Sequence, residues 1–284
     1  MRTVQREGGT PLVVQNNWMM GADNKRHRFR EAHLWRLDPP SYYGADPAAP
    51  PLRLLRYEGE QPGVSGLLRE TSALRAALRL AALLNRTLVL PHFDCLCDRS
   101  EDVYVVPTCV HHGAPPSMQL PFKCSQHFVA DTHKLQLMAT EPTRFGMQPH
   151  KFGGAFTEPL RLRAHSFLDD PRTAAAIKGG VVDVTVGGDE LDAVEAQRPR
   201  LPKGATNVVV QRELAKHTDA RVLRLSDAEG AFGGWETEKQ QATLFTTMME
   251  YYLHRGAWCC SSRNNGNEDG RVYTKDPPRY KMPA

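Results

Sequence analysis

The forty residues from Leu52 to Pro91, "LRLLRYEGEQPGVSGLLRETSALRAALRLAALLNRTLVLP", constrain the fold more than any other stretch of the chain. Leu52–Gly59 alternates apolar and polar residues as a strand does, and Arg86–Pro91 is a compact apolar run of strand length. Between them Gly63 and Gly66 mark a turn. Leu67, Leu74, Leu78, Ala81 and Leu84 then recur at helical spacing, enough for an amphipathic helix of about five turns. Strand, glycine turn, helix and strand make a βαβ unit. A helical crossover brings the chain back to the same end of the sheet, so the two strands run parallel. The expected fold class is therefore α/β, a Rossmann-like layered domain with parallel strands.

The same grammar returns further on. Val181–Val186 alternates as a strand, and "GGDELDAVEAQR" (187–198) reads as a turn and a short acidic helix. "NVVVQ" (Asn207–Gln211) reads as a buried strand, "RELAKHTD" (212–219) as a short helix and Arg221–Leu225 as another strand. "WETEKQQATLFTTMMEYYLHRG" (235–256) predicts a long helix with Leu244, Met248, Tyr251 and Tyr252 on one side, stopped by Gly256. At the amino end Pro11–Gln15 suits a buried strand. Asp23 is placed to cap a helix over 24–35 that has a weak apolar face of Phe29, Ala32 and Leu34 and is basic through Lys25, Arg26, Arg28 and Arg30. The proline-rich "LDPPSYYGADPAAPP" reads as a linker. These readings divide the chain into a first segment over 1–50, an α/β domain over 51–260 with an irregular insertion at about 92–180, and a polar, disordered tail over 261–284.

Composition narrows the classes. Charged residues are 24% and the hydrophobic set is 40%, so a core can be buried. The net charge of +4 favours anionic ligands such as nucleotide phosphates. No basic run is interleaved with aromatics, so nucleic acid is not an expected partner. No apolar run is long enough for a membrane segment, and "MRTVQREGGT" lacks the apolar core of a targeting signal. Of the six cysteines, Cys95, Cys97, Cys109 and Cys124 cluster, with His111, His112 and His127 among them; Cys259 and Cys260 are adjacent. Disulfides, plain thiols and zinc all remain open there, although the spacing matches no standard finger.

Open parallel sheets bind ligands beyond the carboxyl ends of their strands. In the clear βαβ unit that edge carries Gly63, Ser65 and Gly66, whose backbone and following helix start suit a phosphate, with Ser65 also able to cap the helix. His92, Asp94, Asp98 and Arg99 follow the second strand. Arg99 can fork onto a diphosphate, and Asp94 or Asp98 can act as a base or hold a sugar hydroxyl. Asp-x-Asp occurs nowhere in the chain, so no metal site is assembled from these residues. No serine-hydrolase, zinc-protease or P-loop motif is present.

The stretch "NNWMMGADNKRHRFREAHLW" resembles the closing segment of the nucleotide-diphospho-sugar transferase domain of plant and algal arabinosyltransferase-like proteins. That family carries H-x-N-(W/Y)-x-x-G-x-x-x-K before a helix ending in L-W; Asn17, Trp18, Gly21, Lys25, Leu34 and Trp35 match, and Gln15 stands where His is usual. The block "LRETSALRAALRLAALLNRTLVLPHFDCLCDR" looks like the region following that domain in longer members, and is similar in layout to fucosyltransferase-like folds. The resemblance implies that residues 1–50 are the carboxyl-terminal remnant of a GT-A domain whose Asp-x-Asp would lie upstream. Mn2+ would then be a cofactor only where that upstream domain is present.

The resulting expectation is a glycosyltransferase, or a fragment of one, moving a sugar from a nucleotide-sugar donor to a glycan or glycoprotein acceptor, with the amino-terminal remnant inactive alone. If part of a longer anchored protein, it would act in the Golgi lumen. The alternatives are a non-catalytic accessory domain binding glycan or a partner enzyme, and a zinc module built on residues 95–127.

Overall fold

The computed structural model describes residues 22–57, 64–95, 122–124, 126, 132–137, 160–187, 198–239, 242, 243, 245, 246, 249 and 253; at 64–71, 94, 95, 122–124, 134 and 137 it describes the backbone alone. The elements, in chain order, are α1 (Ala22–Glu31), a 3-10 turn (Pro40–Tyr43), β1 (Leu54–Tyr57), α2 (Val64–Leu83), β2 (Thr87–Val89), β3 (Phe93–Cys95) and β4 (Phe122–Cys124). Then come α3 (Thr132–Leu137), β5 (Leu162–Arg163), a second 3-10 turn (His165–Asp169), α4 (Pro171–Ile177), β6 (Val181–Val186), β7 (Arg200–Leu201), α5 (Asn207–Leu214) with a closing 3-10 turn (Ala215–His217), and β8 (Val222–Leu225). Six strands form one sheet in the order β5-β2-β1-β8-β6-β7. Every pairing in it is parallel. The layered α/β architecture is thus present, and the expected βαβ unit is β1-α2-β2.

The register divides the sheet into two faces. Leu55, Tyr57, Leu88, Leu162, Leu223 and Leu225 point to one face and join the main core. There α2 lays down Leu74, Ala77, Leu78 and Ala81, all at most 1% exposed and spaced three or four apart. Val210 and Leu214 of α5 and the helical positions Ala242, Phe245, Met249 and Leu253 complete that layer. Leu54, Val89 and Val222 point to the other face, where Tyr43 and Phe167 cover them. These two rings stack at 5.8 Å with an interplanar angle of 14°.

Both α1 and α2 stop in the same way. His33 (φ 56) and Asn85 (φ 49) take the left-handed conformation just past each helix. The Leu34 N–H then reaches back to the Phe29 carbonyl at 2.8 Å, and the Arg86 N–H to Ala81 at 2.9 Å, closing two Schellman turns. α1 therefore ends at Glu31, and Trp35 lies beyond it. Asp23 sits inside the first turn, paired with Arg26 and His133, instead of capping the helix.

Four expectations change. "NVVVQ" is the start of helix α5, not a strand: Asn207, Val210 and Leu214 are buried at helical spacing while Val208 is exposed. β7 and β8 are parallel members of one sheet, and the chain must cross between them; that requirement outweighs the β-preference of three valines. α1 docks by a polar seam, not by Phe29, Ala32 and Leu34: its buried residues are Asn24 and His27. The stretch read as a linker folds into the Pro40–Tyr43 turn and buries Tyr43 against the sheet. The irregular middle supplies the edge strand β5, which pairs with β2.

No disulfide is found among the described residues. Cys95 and Cys124 stand on the antiparallel pair β3-β4, where Cys95 is opposite Phe122 and Cys124 opposite Phe93. Cys97, Cys109, Cys259, Cys260, His111, His112 and His127 lie outside the described residues, as do the 11–15 stretch, the acidic segment 188–197 and the tail 261–284. No described helix is long and apolar enough to cross a membrane.

Candidate functional site

Because all six strands of the main sheet run the same way, whatever follows each strand gathers at one edge. Past β1, helix α2 begins at Val64, which places Ser65 and Gly66 in its first turn, among unpaired backbone N–H groups, and not in the preceding loop. Past β2 comes His92, an exposed residue whose ring lies 3.5 Å, centroid to centroid, from His165. Asp94 is in β3, opposite Lys123. Gly63, Asp98 and Arg99 lie outside the described residues, as do Asn17, Trp18 and Gly21; Lys25 is exposed on α1.

His165 opens the turn that follows β5, and its Nδ1 is 3.6 Å from Glu31 Oε1. Glu31 also accepts from the Gln126 backbone N–H at 3.1 Å. The Ser166 hydroxyl donates to the Arg30 carbonyl at 3.3 Å. The end of α1 is thereby fastened to the carboxyl edge beside β5. Sequence reasoning reached only Trp35 here, as a motif residue; the other residues come from two stretches, 29–43 and 163–172, that lie far apart in the chain. The density of Arg and aromatic residues was the signal on offer.

A cavity of about 210 Å³ opens there. Arg30, His33, Trp35, Arg36, Tyr42 and Tyr43 line one side, and Ser166, Phe167, Asp170 and Arg172 the other. Asp38, its side chain 5% exposed, organises the first group. Arg30 grips it with two parallel bonds, Nε to Oδ2 at 2.8 Å and Nη2 to Oδ1 at 2.5 Å. Trp35 Nε1 donates to Oδ1 at 3.1 Å and the Tyr43 hydroxyl to Oδ2 at 3.4 Å. Burial alone would raise the Asp38 pKa; the hydrogen bond and charge of Arg30, with Trp35 and Tyr43, hold it below the usual carboxylate range. Asp170 is held low by the hydrogen bond from Arg172, whose guanidinium also lies 3.6 Å over the Tyr43 ring. Neither carboxylate is free to act as a base.

Arg163 differs. Its guanidinium packs 3.8 Å from the centre of the Tyr42 ring and 5.3 Å from that of Phe167. Nη1 donates to the Leu162 carbonyl at 3.1 Å, while Nε is shielded from solvent with no partner. No carboxylate pairs with it among the described residues. Burial pulls its pKa below the ordinary arginine range, with Tyr42 and Asp38 opposing that shift and Arg30 adding to it. An arginine so shifted is still cationic at neutral pH. Four guanidiniums thus share this small region with two carboxylates. The chemistry on offer is anion binding. Among the described residues no group of three or more His, Cys, Asp or Glu converges to hold a metal.

No protein-family model matches the chain, and no solved structure does. The chain is 26% identical over 295 residues to Arabinosyltransferase XEG113 of Arabidopsis thaliana. The match covers 95% of this chain and 42% of the relative, so the chain spans less than half of that protein. Running through almost every element described above, the similarity supports an arabinosyltransferase-like kinship.

Proposed function

We propose that this chain takes part in glycosyl transfer, moving a sugar, arabinose foremost, from a nucleotide-sugar donor to a glycan or glycoprotein acceptor. The observation that carries the reading is the similarity to an arabinosyltransferase across 95% of the chain. A parallel sheet whose carboxyl edge collects a helix start, His92 and a cationic cavity is in keeping with it. The reaction is displacement at the anomeric carbon. The bond from that carbon to the diphosphate oxygen breaks, a bond to the acceptor hydroxyl oxygen forms, and the hydroxyl proton passes to a carboxylate, Asp94 or Asp98. Gly63, Ser65, Gly66, His92 and Arg99 bind the donor. The leaving diphosphate gathers negative charge, which cationic side chains and helix N–H groups stabilise. Where the chain is part of a longer anchored protein, the setting is the Golgi lumen.

A second reading is a non-catalytic module that binds donor or glycan for a partner domain. It is favoured by the engagement of Asp38 and Asp170 with arginines, which leaves the described cavity without a free carboxylate. One assay separates the two. The purified chain is incubated with UDP-arabinose, and separately with GDP-fucose, and released nucleotide is measured. Turnover with UDP-arabinose that falls at least about tenfold in Arg99→Ala is the expected result for the enzyme. A donor-induced rise in Tm without turnover selects the accessory role. Neither turnover nor a thermal shift with either donor would reject both.

A further inference from the structure

We propose that the cavity walled by Arg30, Trp35, Arg36, Tyr42, Tyr43 and Arg172 is a diphosphate subsite, whose uncancelled positive charge comes from Arg163 behind Tyr42. The inference rests on the nucleotide-sugar reading for its biological ligand, though not for its chemistry. Charge is the first argument. Asp38 pairs with Arg30 and Asp170 with Arg172, but no carboxylate among the described residues pairs with Arg163 or the rim residue Arg36. A desolvated cation without a counter-ion is costly to a fold, and an anion entering the cavity removes that cost. A neutral sugar would leave it in place.

Size is the second argument. The cavity, about 210 Å³, falls below the range of about 300–1,000 Å³ typical of pockets that enclose a whole drug-sized ligand. It takes a compact charged group, with the rest of the molecule reaching outward past Trp35. Environment is the third. Tyr42, Tyr43 and Phe167 displace water from the wall, so the field of Arg163 is less screened than at an open surface. The Tyr42 hydroxyl has no hydrogen-bond partner among the described residues and is available to donate to a phosphate oxygen.

The test is calorimetry on the full chain with pyrophosphate, UDP and uridine, together with thermal denaturation. Pyrophosphate and UDP are expected to bind and uridine not to; pyrophosphate binding without UDP binding identifies a free-phosphate site. Arg163→Met keeps the packing and removes the charge. It should weaken pyrophosphate at least about tenfold and abolish the ligand-induced rise in Tm, while the unliganded variant melts at the same temperature as the parent or higher. Arg36→Gln, on the exposed rim, guards against misfolding of the first variant and should weaken binding by about threefold or more. Absence of pyrophosphate binding, or unchanged affinity in Arg163→Met, overturns the subsite. Donor turnover separates the two claims. Turnover kept in Arg163→Met with unchanged pyrophosphate affinity removes the subsite and leaves sugar transfer standing. Diphosphate binding without turnover in the parent chain does the reverse.

Discussion

Arg86 shows how one residue can hold three strands in place. Its side chain is 3% exposed, and its fork ends on four backbone carbonyls: Leu54 at 3.3 Å, Ala220 at 2.7 Å, His217 at 2.8 Å and Thr218 at 3.2 Å. Burial, with the nearby charge of Arg53, lowers its pKa to about 10, so it remains a cation that replaces water for the leading ends of β1 and β8. Arg86→Ala should cost about 3 kcal/mol by urea denaturation, and Arg86→Lys should recover less than half of that, because an ammonium cannot reproduce the planar fork. His27 makes a prediction in pH. Its ring is 4% exposed, and Nε2 lies 3.0 Å from Gln136 Nε2, so it accepts from that amide and is neutral. Burial first, then the charges of Arg30 and Arg163, depress its pKa from 6.5 to about 3. The unfolded chain protonates near pH 6.5 while the folded one resists. The stability His27 contributes is therefore full above pH 6.5 and declines as pH falls toward 3, by up to about 1.4 kcal/mol per unit. His27→Gln should flatten that slope in urea midpoints taken between pH 4 and 7. In sequence, Arg86 was legible only as the first residue of a strand and His27 only as one of a basic helix's residues. Their roles depend on partners distant in sequence: three of the four carbonyls that Arg86 meets, and the glutamine that His27 meets, are more than a hundred positions away.

At the scale of elements, periodicity served where an element was long and failed where it was short. α2 and β6 were legible because Leu74, Leu78 and Ala81, or the alternation in Val181–Val186, repeat often enough to set a phase. β5 and β7 have two residues each, too few for any pattern. The Tyr42-Tyr43 pair was hidden in prolines and small residues, whose usual meaning is a loop. The largest reversal was α5. Three successive valines favour a strand locally, yet only Val210 of the three is buried, and the helix is anchored at its start by Asn207, which donates to Thr237 Oγ1 at 2.7 Å and accepts from the Glu236 N–H at 2.8 Å. This separates helix from strand experimentally. Val208 is 39% exposed, so Val208→Ala removes little packing and replaces a poor helix former by the best one. A gain of about 0.5 kcal/mol in the urea midpoint is expected; in a strand the same change would be a loss.

For the molecule as a whole, the two faces of the sheet are covered unequally. One carries α2, α5 and the helical positions through Leu253; the other has the seven-residue helix α4 and two 3-10 turns. Part of that second cover comes from residues ahead of β1. Tyr43 lies on Leu54, Val89 and Val222, and the Arg30 carbonyl, accepting from the Ser166 hydroxyl, fastens the same segment to the edge beside β5. We propose residues 1–50 as a unit separate in origin from the α/β domain over 51–260; energetically, the packing ties the two together. A chain beginning at residue 51 would expose Leu54, Val89, Phe167 and Val222 as one apolar patch. It should lose at least about 3 kcal/mol, the scale of emptying one large aromatic site, and bind a hydrophobic dye that the full chain does not. Tyr43→Ala, which leaves the backbone of the segment in place, should account for most of that loss. If the shortened chain instead unfolds at the parent's urea midpoint without dye binding, the contacts at Tyr43 contribute nothing to stability, and the two segments fold independently.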